Sequence, residues 1–322
     1  MRALVKSAVG PGHLELEDVP IPRIGDDDVL MKVTFCGICG SDLHIETGQH
    51  ICFPPVILGH EYTGVVAALG QNVTQFRLGD PVSFRTGFQP FPGYRGDGAF
   101  AEYMRAPASS LWRTPEGISL EAASQFETVR VPLTLVRDAM GMRPGSRVVV
   151  TGAGPIGLLT ANAAKLEGAS HVTVLGGPGD EKIRLPKALE LGADVAELLS
   201  AEALAKLDGA APPACWFETS GAAPAIEAAV EHVAPGGRIT VSGLGRGPWN
   251  VNMARVSFDN LRIIGQWGGN NRYLDDCVTL MRSGQLKVDA IISAVLPLTQ
   301  WREAFAMLRR LEAIKVLLDP SR

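Results

Sequence analysis

Residues 36–44 read CGICGSDLH, which puts two thiols, a hydroxyl, a carboxylate and an imidazole into one short stretch. Three kinds of chemistry use a C-x-x-C pair: thiol–disulfide exchange, a structural zinc site, or a catalytic metal that takes one of the two thiols. Exchange needs the pair at a helix start in a thioredoxin-like unit, whereas Cys36 and Cys39 sit among β-like runs. A structural zinc takes four protein ligands, usually from a second C-x-x-C or a paired histidine motif, and the sequence has neither. A catalytic zinc takes three protein ligands from distant points of the chain and keeps a fourth position open. Downstream, LGHEYTGVV offers His60 and Glu61, a nitrogen and an oxygen donor behind a glycine turn.

A second chemical signature is VVVTGAGPIGLLTANAAKL, where Gly152, Gly154 and Gly157 fall in G-x-G-x-x-G spacing around Pro155 and Ile156. In that motif the first glycine makes the tight turn, the second admits a pyrophosphate to the backbone, and the third lets a helix pack close to a strand. The amides that open the helix then face the anion. The loop is expected to bind a dinucleotide because a strand precedes it and a helix follows it. At the end of the next strand, HVTVLGGPGDEK has Gly176 and Gly177 where an NAD site places an acid for the ribose hydroxyl. Asp180 and Glu181 follow, as do Lys182 and Arg184, which could accept a 2′-phosphate. NAD and NADP both stay open, with NADP favoured.

The elements that must position these residues change character along the chain. Up to about Phe126 the pattern is short strands broken by Gly and Pro, such as DVLMKVTFC and YTGVVAALG. From Arg147 apolar strands (RVVVTG, HVTVLG, CWFETS, RITVSG, LRIIGQ) alternate with helical stretches, among them Leu158 to Leu166 and Ala223 to His232. Strands apolar on both faces and separated by helices predict a doubly wound parallel α/β sheet. After Trp267 mixed elements end in an amphipathic helix with Trp301, Phe305, Leu308 and Leu311 on one face.

Composition narrows the function. At 322 residues the chain has room for two cores. A net charge of -4 offers no basic surplus for nucleic acid. An apolar run of membrane-spanning length is absent, as is a signal-like start. Five cysteines, an odd number, argue against a disulfide framework. A cytoplasmic enzyme with a small-molecule partner, bound to neither nucleic acid nor membrane, is the expectation.

Taken in order, CGICGSDLH, GHEYTGVV, GDGAFAEYM, GAGPIG, ETSGAA, APGGRITVSG and IKVLLDP make the chain resemble the medium-chain, zinc-dependent alcohol dehydrogenases. The resemblance covers nearly the whole length and is closest to the polyol (sorbitol) and threonine dehydrogenase branch. It implies a GroES-like β-rich catalytic domain over 1–127, a Rossmann domain over 128–266 and a return to the catalytic domain over 267–322. It also implies one catalytic Zn2+ held by Cys39 and His60, with Glu127 of SQFETVRVPL as the third ligand and Glu61 as its competitor. Asp42 would hold the zinc histidine in one tautomer, Ser41 and His44 would carry the proton away, and Cys36 would be a buried thiol. Cys215 and Cys277 read as packing residues, and Cys52 as a residue near the substrate.

The implied reaction moves hydride between a secondary alcohol (a polyol, sugar alcohol or amino-alcohol) or its ketone and NAD(P), in a cleft between the domains. Arg130 could meet a substrate carboxylate or phosphate there. The resemblance implies a homodimer or homotetramer. Where the family carries a four-cysteine lobe for a structural zinc, this chain has only SFRTGFQPFPGYRGDGAF, so a second zinc is not expected. A zinc-free, quinone-reductase-like enzyme or a non-catalytic dinucleotide-binding relative are the alternatives.

Overall fold

A parallel six-stranded sheet forms the centre of one of two units in the computed structural model, which describes residues 1–245 and 247–322. In sheet order its strands are Val195–Leu198, His171–Gly176, Arg147–Thr151, Cys215–Glu218, Arg238–Val241 and Arg262–Gly265. Numbered along the chain this order is 3-2-1-4-5-6, the doubly wound Rossmann order, whose switch point lies between the first and fourth strands. Val149, Trp216 and Ile239 of the sheet pack with Ile226 and Ala229 of the helix Ala223–His232. Burying an apolar side chain of that size stabilises by about 1.5–3 kcal/mol.

Val195–Leu198 is a strand that the sequence reading passed over. Its four residues are all half-buried, so the fully apolar run that marks its neighbours is missing. The helix expected from Leu158 opens three residues earlier, at Pro155, which stands in the first turn where proline lacks no needed donor.

The other unit combines Met1–Glu127 with Ile292–Arg322. Its main sheet runs in the order Ile292–Pro297, Lys315–Asp319, Asp28–Gly37, Glu61–Leu69, Pro81–Phe84 and Leu111–Arg113, with Tyr103–Pro107 also paired to Asp28–Gly37. Arg2–Lys6, Leu14–Asp18 and Val56–Ile57 form a smaller sheet. The helix Trp301–Arg309 packs against the strands Ile292–Pro297 and Lys315–Asp319 of the main sheet, and its Phe305 ring lies 6.4 Å from that of Phe100. Leu311 lies beyond this helix with a positive φ of 57°, so the apolar stripe expected on one helix face ends at Leu308.

The second unit runs from Thr128 to Ile291, so residues 267–291 belong with the parallel sheet and not with the β-rich unit. The physical reason lies in specific bonds. Arg130 donates through Nη1 to the Gly269 carbonyl, the Thr134 hydroxyl accepts from the Asn270 amide at 2.7 Å, and Asn162 accepts from the Lys287 amide at 3.1 Å. Among the described residues no helix is long and apolar enough to cross a membrane.

Candidate active site and metal centre

Strand Asp28–Gly37 delivers the chain to Cys39, which takes an extended conformation and caps the helix Gly40–Glu46. Asp42 stands in the first turn of that helix, and its Oδ2 accepts from the Cys39 amide at 2.9 Å. Its other oxygen faces His60 Nδ1 at 3.8 Å, and neither atom has a hydrogen-bond partner although both are buried. His60 and Glu61 follow Gly59, where φ is +92° and a Cβ would lie 2.6 Å from the Phe100 ring and 2.8 Å from Cys36 Sγ. Only glycine fits that corner, and it is the corner that aims the His-Glu pair.

Antiparallel register then places Gly37 opposite Glu61. A Cβ at Gly37 would stand 2.3 Å from Glu61 Oε2, so the missing side chain makes room for the carboxylate. The outcome is a group in which one ligand atom each from Cys39, His60 and Glu61 lies within 4.8 Å of the others. Glu127, half-buried in the first turn of the helix Phe126–Thr134, acts on His60 through its charge and is outside that group.

The sequence reading did not single out Lys315. Buried to 1% exposure, it donates through Nζ to both Glu61 oxygens at 2.7 and 2.8 Å and to the Ile38 carbonyl at 2.9 Å. Burial pushes its ammonium toward neutrality, but the charges of Glu61, Cys39 and Asp42 outweigh this and raise its pKa. Phe91 and Tyr94, from the segment that stands in place of the cysteine lobe, put their rings 6.2 and 5.3 Å from that of His60. No spacing rule links these residues to the metal motif, so sequence alone gave no sign of them.

The electrostatics of the group suit a dication. Burial opposes a charged His60, yet the Asp42 carboxylate and Cys39 raise its pKa to about 10. In effect the surrounding anionic groups, Asp42 and Cys39 first, pull a proton onto the imidazole. A sulfur, a nitrogen and an oxygen donor with a buried carboxylate behind the histidine match the ligand preferences of zinc. Cys36, fully buried, has its thiol pushed far up by burial first and the nearby acids second, so it is an inert neighbour. Ser41 is 2% exposed with its hydroxyl beside that of Tyr94, and His44 Nδ1 lies 3.4 Å from Gln49 Oε1.

In the parallel unit the glycine loop lies at the switch point. Gly152 has a φ of +98°, and a Cβ on Gly157 would fall 1.8 Å from the Gly152 carbonyl, so the fold itself demands both. Gly154 is different, since a Cβ there meets nothing within 4 Å. The space beside Gly154 is open, so a ligand has room to approach the backbone there. Pro155 and Ile156 open the helix directly behind it. Across the switch point Glu218, buried to 1% exposure, accepts from the Ser220 and Gly221 amides at 2.7 and 2.9 Å and shapes the facing turn.

After the second strand, a Cβ on Gly176 would stand 2.9 Å from Leu185 and 3.0 Å from Asp180. Asp180 accepts from the Gly177 amide at 2.8 Å and from Arg184 at 3.5 Å, and Glu181 accepts from the Gly179 amide at 2.6 Å. Both acids are therefore committed within their own loop, while Lys182 is exposed.

Other candidates have different places. Arg130 is 7% exposed and buttresses the Gly268–Gly269 turn, and Trp267 is exposed. Cys52 lies in the field of Lys6. Cys215 and Cys277 are buried, as packing residues should be.

A thiol, imidazole and carboxylate converging in a β-rich unit, together with a dinucleotide loop in the same chain, define a metal-assisted, nicotinamide-linked dehydrogenase. Comparison with known proteins agrees. Residues 25–116 match the alcohol dehydrogenase GroES-like domain, and residues 155–283 match the zinc-binding dehydrogenase domain. A sorbitol dehydrogenase of Halalkalibacterium halodurans is 30% identical and an L-threonine 3-dehydrogenase of Bacillus licheniformis 32% identical, each over 99% of both chains. The solved structure of alcohol dehydrogenase TADH from Thermus sp. ATN1 superposes with a TM-score of 0.86 at 29% identity, again over 99% of both chains. The chain belongs to the medium-chain, zinc-dependent alcohol dehydrogenases, in their polyol and threonine dehydrogenase branch, and is an NAD(P)-linked oxidoreductase acting on alcohols.

Proposed function

We propose that the enzyme oxidises the secondary alcohol of a polyol, sugar alcohol or amino-alcohol, and reduces the matching ketone, with Cys39, His60 and Glu61 as the zinc ligands. The observation that carries this reading is the convergence of those three donors within 4.8 Å. The sorbitol and threonine dehydrogenases among the relatives support the substrate class. When bound, zinc supplies Lewis acidity that lowers the pKa of an adjacent hydroxyl toward neutrality.

The protein's own groups do the rest. Asp42, 3.8 Å from His60 Nδ1, acts on the ring through its charge. The buried Ser41 hydroxyl accepts the proton that the alcohol loses as it gives up its own, and His44, half-buried, carries that proton on toward solvent. A nicotinamide cofactor would supply the hydride acceptor for the carbinol carbon, and the amides that follow Gly154 would hold its pyrophosphate.

Two variants separate the candidate third ligands. E61Q is expected to lower the zinc content of purified protein severalfold. E127Q is expected to retain zinc and to lose kcat, because its charge acts on His60 without joining the donor group. Elemental analysis beside steady-state kinetics reads both. Zinc loss in E127Q with full occupancy in E61Q reverses the assignment, and full zinc and activity in both variants removes the carboxylate ligand altogether.

For the cofactor we infer NADP over NAD, since Asp180 and Glu181 are engaged in their own loop and Lys182 is exposed. A charge-assisted bond to a 2′-phosphate contributes about 1.5–3 kcal/mol. K182A should therefore raise KM for NADP about tenfold or more and leave KM for NAD unchanged. Equal changes for both cofactors would defeat this inference.

A further inference from the structure

At the end of the parallel sheet opposite the glycine loop, the starts of three strands and the turn before the first strand enclose a pocket of about 330 Å³. Arg143 of that turn, Arg238 and Arg262, each of which opens its strand, line it together with Met140, Gly141 and Cys215. No acidic residue is among those that line it. Among the described residues, none of the three arginines has a carboxylate within 4.0 Å, in a chain whose net charge is -4. Asp259 meets the rim through its carbonyl, which accepts from the Gly236 amide, and its carboxylate is turned to Arg255 at 3.0 Å.

One arginine is fixed in place. Arg238 donates through Nη1 to the Met140 carbonyl, and a Cβ on Gly141, where φ is +52°, would stand 2.9 Å from that nitrogen. The turn is therefore built around the guanidinium, whose remaining donors are left for the pocket. Three arginines lining one pocket without an acid favour an anion there, and guanidinium forks match phosphate and carboxylate oxygens in pairs. The volume is at the small end of ligand pockets, near 300 Å³.

We propose that this pocket is a binding site for a small polyanion, with a phosphate group as the recognised chemistry, separate from the dinucleotide loop. Arg238 is the preset anchor and Arg143 and Arg262 are the arms that close on the ligand. The site is independent of the dehydrogenase reading, because none of its residues has a part in holding metal, alcohol or cofactor.

The test is calorimetric titration of the NADP-saturated enzyme with inorganic phosphate, so that the pyrophosphate and 2′-phosphate positions are already filled. Wild type is expected to bind one phosphate per chain saturably, and the R143A/R262A double variant to bind it at least tenfold more weakly with unchanged turnover. Both side chains are exposed, and their backbone bonds are kept in the alanine variant, while a change at Arg238 would disturb the turn. Absence of saturable binding in wild type, or equal affinity in the double variant, overturns the site. Binding that is lost when NADP is added assigns the anion to the cofactor loop and overturns it equally.

Discussion

C39S is expected to lose nearly all of its zinc and about a thousandfold in kcat while remaining folded. Serine supplies a hydroxyl in place of a thiolate and is a poor zinc ligand, and removing the Lewis acid forfeits several kcal/mol of transition-state stabilisation. At 1.36 kcal/mol per factor of ten, a loss of about 4 kcal/mol gives that figure. The fold should tolerate the change because Cys39 is the N-cap of its helix, a position where serine is among the best residues. Zinc content by elemental analysis, turnover, and far-UV circular dichroism decide it. A variant that keeps both zinc and turnover would remove Cys39 from the centre.

The same centre should compete with protons in a definite direction. The His60 pKa, raised to about 10 in the metal-free protein, means that zinc must displace a proton from the imidazole at any lower pH. Apparent zinc affinity of wild type should therefore climb as pH rises from neutrality and level off near 10. Chelator-competition titrations across that window measure it, and a flat profile would contradict the raised value.

K315M should produce the largest loss of stability of any single change near the site, and the loss should depend on metal. Lys315 donates to both Glu61 oxygens, and it is buried with them. Removing one member of a buried pair leaves a charge without compensation and costs about 3–5 kcal/mol. Zinc beside Glu61 would replace part of the missing positive charge, so the penalty should shrink in zinc-loaded protein. Urea midpoints of the metal-free and zinc-loaded forms give the comparison, and the double variant K315M/E61Q should recover part of the loss. An equal penalty with and without zinc would show that Glu61 does not face the metal.

The glycine loop and the metal motif were readable from sequence because each is a local constraint. Gly152 and Gly157 are forced by contacts inside one strand–turn–helix, and Gly59 by the corner that precedes His60. The alternation of apolar strands and helices likewise specified the parallel sheet, except where Val195–Leu198 is too short and too evenly half-buried to stand out. The position of residues 267–291 was not readable, since it rests on bonds such as Arg130 to Gly269 that join points far apart in the chain. Lys315 is the clearest case. Its motif was visible, but its role comes from strand register, with Leu317 paired to Gly37 and Gly37 to Glu61. By itself the sequence determined which donors, glycines and strands exist. The tertiary structure alone decided which carboxylate stands beside Cys39 and His60, which ammonium neutralises it, and which arginines converge, because those depend on pairing between segments with no fixed spacing between them.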